Sequence, residues 1–163
     1  MAEFLLRDAL SRRGCEDVEV DSSGTWATEG LPATDSAADT LASIGLDLSS
    51  HRARALESHL VEEADLVVVM TSVHVREVLE VVPDSESKLV MMKELAEMKA
   101  ALDGQGNGAD LVGRLRRLLD APRPERRRAL DVDDPMGLPI TAYQRCAGEL
   151  RAGVGALVEV LCD

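Results

Sequence analysis

The sequence predicts an α/β layer fold built on a parallel sheet, as a single domain over residues 1–163. Three observations predict it. Segments of strand character alternate with segments of helical periodicity along the chain. Two of the strand segments, "DLVVVM" (65–70) and "KLVMM" (88–92), are unbroken apolar runs, as expected of strands buried on both faces. Hydrophobic residues make up 45% of the chain, enough for a sizeable core, and aromatics only 2%, so Leu, Val, Ala and Met must fill it. Sheets of this kind bind ligands at the carboxyl ends of their strands. That directs attention to the loops after Val20, Met70 and Met92, and to the loop carrying Asp133 and Asp134.

Each element has its own warrant. "MAEFLLRDALSRRG" places Met1, Phe4, Leu5 and Ala9 at helical spacing and stops at Gly14, a residue suited to a helix C-terminus. No N-cap residue precedes this helix. "DVEV" alternates, with Val18 and Val20 on one face of a short strand. "DSSGTWATEGLPAT" is a loop rich in Gly, Ser and Thr. A helix over about 35–44 puts Ala38, Leu41 and Ala42 inward and ends at Gly45. After the connector "DLSSHRARAL" comes a short helix near 57–64, then the first buried strand. Residues 72–82 form a helix with Val75, Val78, Leu79 and Val82 inward, ended by Pro83. Beyond the second buried strand, "DGQGNG" (103–108) is a connector. Residues 110–119 form a helix with Leu111, Leu115 and Leu118 inward. A proline-containing loop leads to a last helix over 141–161. There is no internal repeat.

Composition excludes several function classes. A net charge of −12 repels nucleic acid and anionic membrane, so neither is an expected partner. The basic cluster from Arg123 to Arg128 reads as a solvated loop, with a docking patch as the alternative. No apolar run approaches the ~20 residues of a membrane span, and the opening does not read as a signal peptide. The three cysteines, Cys15, Cys146 and Cys162, share no metal-ligand spacing. Their odd count points to unpaired thiols in a reducing cytoplasm. Cys15 precedes Glu16 and Asp17, whose charges would raise its pKa, the wrong direction for a nucleophile. His51, His59 and His74 have no spacing for a metal, and we expect neither metal nor cofactor.

Several segments, taken in order, resemble the low-molecular-weight protein tyrosine phosphatase family, which includes bacterial protein-arginine phosphatases and some arsenate reductases. "MAEFLLRDAL" is similar to the family's first helix and "SSGTWATEGLPAT" to its Ser-x-Gly-Thr loop. "SSHRARAL" resembles its Ser-x-x-Arg-Ala connector and "EADLVVVMT" its next core strand. "DDPMG" resembles its Asp-Pro loop, which leads to a terminal helix with an aromatic, here Tyr143. The stretch from Met98 to Arg128 matches least. The resemblance implies a three-layer α/β/α arrangement with a doubly wound, flavodoxin-like parallel sheet.

In that family a strand and a loop of pattern C-x5-R-[ST]-P stand before the segment that matches "MAE". The loop's backbone N–H groups lower the cysteine's pKa and cradle phosphoryl oxygens, and its Arg grips two of them. These 163 residues contain no such motif: the residues six positions after Cys15 and Cys146 are Asp21 and Ala152. The resemblance therefore implies that the first strand and the phosphate-binding loop are missing. The chain as given is expected to be inactive and poorly stable, with a gap in its sheet.

The remaining candidate residues take their roles from the resemblance. Asp134 corresponds to the general acid that protonates the leaving group and then activates water against a phospho-cysteine. Pro135 fixes the backbone beside it, and the like charge of Asp133 would push its pKa up. Without the resemblance the two would read as solvated turn aspartates. Trp26 corresponds to a large apolar wall of the substrate slot, or else covers a core edge. Ser22 corresponds to a serine supporting the phosphate loop, or else is a turn residue. The expected substrate is a phosphorylated protein or small phosphomonoester. Alternatives are a non-catalytic binding or regulatory remnant of the family, and an arsenate reductase-like enzyme. Met136, Gly137 and Leu138 stand where tyrosine-specific members often carry tyrosines, which tilts the expectation toward phosphoarginine.

Overall fold

The computed structural model describes residues 1–102, 110–123 and 128–162. Its sheet is a parallel pair. Strand β1 (Val67–Val69) runs beside β2 (Leu89–Met91), with Val67 opposite Leu89, Val68 opposite Val90 and Val69 opposite Met91. The runs are continuously apolar because each strand is covered on both faces. Val68 and Val90 join the larger core. Their neighbours in the pleat, Val67, Val69, Leu89 and Met91, meet Val61 of α3 (Ser58–Glu63) and Val75 and Val78 of α4 (Ser72–Val81). The two strands therefore divide their side chains between two helix-lined cores.

The larger core is organised by α7 (Ile140–Cys162). It packs against α1 (Ala2–Arg13), α2 (Asp35–Ala42), α5 (Glu94–Leu102) and α6 (Leu111–Asp120). Gly153 makes its approach to the sheet possible. A Cβ there would lie 2.5 Å from the Met92 carbonyl oxygen, and closer still to the Met92 sulfur. Local chemistry sets the helix ends as expected. Gly14 adopts φ 71°, and the N–H groups of Gly14 and Cys15 reach back to Ser11 and Leu10. Thr34 and Asp110 cap α2 and α6 through their side chains. At the start of α1, Met1 gives no side-chain cap. Tyr143 of α7 is buried. No helix among the described residues is long and apolar enough to cross a membrane.

Several expectations need correction. Val18 and Val20 are half-buried and Glu19 exposed, as an alternating strand requires, yet the segment joins no ladder. The Val20 carbonyl instead accepts from the Arg7 guanidinium. A strand exists only as one member of a pair, and no described segment lies beside this one to complete it. Among the described residues the sheet is this one parallel pair, so the doubly wound, flavodoxin-like order is not seen in it. Helix α5 was not anticipated, although Leu95 and Met98 are fully buried at helical spacing. On α2 the buried face is Ala37, Thr40 and Leu41, and Ala42 is exposed. Cys15 and Cys162 are joined by a disulfide, Cα to Cα 6.0 Å, so two of the three thiols expected to be unpaired are paired. Their 147-residue separation hides the pairing, which the packing of α1 on α7 creates. Arg123 is no solvated loop residue: it donates to the carbonyls of Leu89 and Ser87 at 2.7 and 2.8 Å. The rest of the basic cluster at 124–127, and the connector at 103–108, lie outside the described residues.

Candidate active site

The loop carrying Asp134 is tied to the carboxyl ends of both strands. Val132 donates its N–H to the Met70 carbonyl at 2.8 Å, just past β1. The Asp131 carboxylate accepts from the Ser72 N–H at 2.7 Å and from the Ser72 hydroxyl at 3.4 Å, at the first turn of α4. An acceptor there meets an otherwise unpaired helix N–H. Lys93, beyond β2, donates to the Asp131 carbonyl at 2.7 Å and pairs with Glu149 of α7 at 2.8 Å. The loop is therefore held by two strands' ends and two helices before it reaches Asp134.

At its tip the loop turns sharply. Leu138 donates to the Pro135 carbonyl at 2.9 Å, with Gly137 at φ 76° in the third position, where a type II turn requires a positive φ. Asp134 Oδ1 accepts from the Met136 N–H at 2.9 Å. Among the described residues Oδ2 has no hydrogen-bond partner, and Asp134 is exposed. One oxygen is thus oriented by the backbone and the other is left without a hydrogen-bond partner among the described residues. Asp134 lines a small pocket with Asp133, Leu138, Arg145, Cys146 and Glu149.

Cys146 is the thiol nearest this pocket, and its environment is wrong for a nucleophile. Burial pushes its pKa up, and the charges of Glu149 and Asp134 push it further.

The other predicted site residues lie on neighbouring loops. Ser22 donates to the Glu3 carboxylate in the first turn of α1, and Glu3 also pairs with Arg7 at 3.0 Å. His51 stacks edge-on against Phe4, a structural role. The loop from Gly24 to Leu31 is zipped to the connector 53–56: Gly24 pairs with Arg54 and Leu56, and Gly30 and Leu31 pair with Ala53. Trp26 projects from this loop 89% exposed, so it covers no core edge. Its indole N–H donates to Glu77 Oε1 of α4 at 2.8 Å. No hydrogen bond or ion pair among the described residues joins Asp134 to Ser22 or Trp26 directly. Asp131, Ser72, Lys93, Glu3 and Glu77 were not singled out from the sequence. A signal existed for one contact, since Asp131 stands three residues before Asp134 and Thr71–Ser72 forms a strand-to-helix junction.

A family profile described as low molecular weight phosphotyrosine protein phosphatase matches residues 1–105. The chain belongs to this family. Among curated relatives it is 37% identical, over 158 residues, to a probable low molecular weight protein-tyrosine-phosphatase, EpsP, of Ralstonia solanacearum. The match covers 97% of this chain and 83% of that one. Among solved structures it superposes on a low molecular weight protein tyrosine phosphatase from T. tengcongensis with a TM-score of 0.72 at 28% identity, covering 97% of this chain and 87% of that one. The YwlE arginine phosphatase from Geobacillus stearothermophilus matches with a TM-score of 0.70 at 25% identity, covering 97% and 80%. The fold is thus that of the low molecular weight phosphatases, whose members are cysteine-dependent hydrolases of phosphoprotein.

Proposed function

We propose that this family member hydrolyses phosphotyrosine or phosphoarginine in proteins through a phospho-cysteine intermediate, with Asp134 as general acid and then general base. The single observation that carries the assignment of Asp134 is its setting. It is exposed, oriented through one oxygen by the Met136 N–H, and borne on a loop tethered at Val132, Asp131 and Lys93 to the carboxyl ends of both strands. A carboxyl so held can deliver a proton to a leaving oxygen or nitrogen and later take one from water. Pro135 stiffens the turn, Ser22 supports the phosphate-binding loop, and Trp26 forms a wall for the substrate's flat side group. The tethered acid favours an enzyme over a non-catalytic remnant, which would have no use for it.

These 163 residues contain no C-x5-R motif, and on this reading they do not turn over substrate by themselves. The absence of tyrosine from Met136, Gly137 and Leu138 leaves Trp26 as the aromatic wall, which weakens stacking on a phosphotyrosine ring and tilts the proposal toward phosphoarginine. A cytoplasmic location belongs to the same proposal. The argument for it from unpaired cysteines is weakened by the Cys15–Cys162 disulfide. The test compares two forms: residues 1–163, and the same residues preceded by a strand and a C-x5-R-[ST]-P segment. Both are assayed on phosphotyrosine and phosphoarginine peptides. We expect activity in the longer form alone. Hydrolysis by residues 1–163 that survives purification would overturn the assignment of chemistry to that loop. A preference for tyrosine above tenfold would overturn the arginine alternative.

A further inference from the structure

We propose that Glu77 is a positioning residue that fixes the Trp26 indole as a substrate-facing wall, and that α4 thereby sets the wall and the acid loop against one common frame. The proposal rests on the reading of Trp26 as a wall of the slot. Trp26 is the sole tryptophan, and at 89% exposure its ring packs on nothing that would fix its rotamer. A side chain of this size ordinarily buries about 150–250 Å². The backbone of its loop is zipped to 53–56, but that holds the chain and not the ring. What holds the ring is one charge-assisted hydrogen bond, indole N–H to Glu77 Oε1 at 2.8 Å, across 51 residues of sequence.

The other end of the argument is α4 itself. Val75 and Val78 anchor it in the core, and Thr71 caps it through the His74 N–H. Its first residue, Ser72, is the one gripped by Asp131, three positions before Asp134. Five residues further along, Glu77 grips Trp26. Val73, one turn before Glu77 on the same face of the helix, is itself exposed. One rigid helix therefore registers both the proton donor and the flat wall, and a flat phosphoaryl or phosphoguanidino group is the class of substrate such a wall would orient.

Because Trp26 is the only tryptophan, its fluorescence reads the contact directly. The test uses wild type, Glu77→Ala and Glu77→Gln, with circular dichroism to check the fold. Time-resolved anisotropy should show an indole rotating with the whole protein in wild type, and in Glu77→Gln, which keeps an acceptor oxygen. Glu77→Ala should add a fast local rotation. In the form carrying the C-x5-R-[ST]-P segment, Glu77→Ala should raise KM by about threefold to tenfold, more than it lowers kcat, as expected for one lost hydrogen bond. In a Trp26→Phe background, which has no N–H to donate, it should add nothing. Identical anisotropy in wild type and Glu77→Ala, or Glu77→Gln behaving as Glu77→Ala, would overturn the proposal. A KM raised by Trp26→Ala but unmoved by Glu77→Ala would overturn the role of Glu77 alone. No effect of Trp26→Ala on KM would overturn the reading of Trp26 itself.

Discussion

At the scale of single residues, the hydrogen-bond partners of a side chain decide what it can do. Asp134 has one oxygen satisfied by the Met136 N–H and the other without a partner among the described residues, and Glu77 accepts from an indole N–H. That donor first, and the Thr25 side chain after it, hold the Glu77 carboxyl below its usual range, with the Arg76 charge on the same helix acting in the same direction. A lowered folded-state pKa means that the contact's contribution is fully present above the ordinary glutamate value of about 4.3. It is lost as pH falls through the lowered value. Trp26 emission should therefore stay constant from neutral pH down to that ordinary value and change only below it. A transition centred at or above it would contradict the contact. Asp134 and Trp26 could be singled out as candidates only through the family resemblance, since an Asp-Pro turn by itself reads as a solvated turn. Glu77 could not be. A glutamate on an amphipathic helix reads as a solvated charge, and its partner lies 51 residues away.

At the scale of elements, legibility followed the physics of each one. The runs at 65–70 and 88–92 could be read because burial on both faces leaves a mark in composition alone. The segment at 18–20 carries the other strand mark, apolar–polar alternation, yet forms no strand among the described residues, because a ladder also needs a neighbour. Helix α5 was missed although Leu95 and Met98 sit at helical spacing and are fully buried. The packing of α7 on the sheet yields a sharp prediction. Gly153→Ala places a methyl against the Met92 carbonyl, which is backbone and cannot swing aside. Overpacking of this kind costs about 1–3 kcal/mol. Gly155, on the same helix, has open space around its Cα, and Gly155→Ala should be neutral or slightly stabilising. Chemical denaturation of the two variants checks the contrast, and equal midpoints would contradict the packing described.

At the scale of the whole molecule, the family was legible in the order of its motifs, and the pairing of the chain's two ends was not. Cys15 lies just beyond the end of α1 and Cys162 is the last residue of α7, and only the packing of those helices shows that they pair. Alkylation under native, non-reducing conditions should leave Cys146 unmodified, since burial keeps its thiol protonated, and alkylation after unfolding without reductant should label one cysteine. Loss of so long a cross-link costs about 2–5 kcal/mol, so reductant should lower the Tm by about 2–4 °C for each kcal/mol lost. Three reactive cysteines without reductant would contradict the disulfide. The central claim is that the tethered Asp134 is the proton donor of a family phosphatase. The most direct test measures kcat/KM of wild type and Asp134→Asn, each preceded by the C-x5-R-[ST]-P segment, on aryl phosphates of graded leaving-group pKa. General acid catalysis predicts a loss of about 10²–10⁴-fold for the poorest leaving groups, shrinking steadily as the leaving group improves. A loss that is the same for every leaving group, or no loss at all, would contradict it.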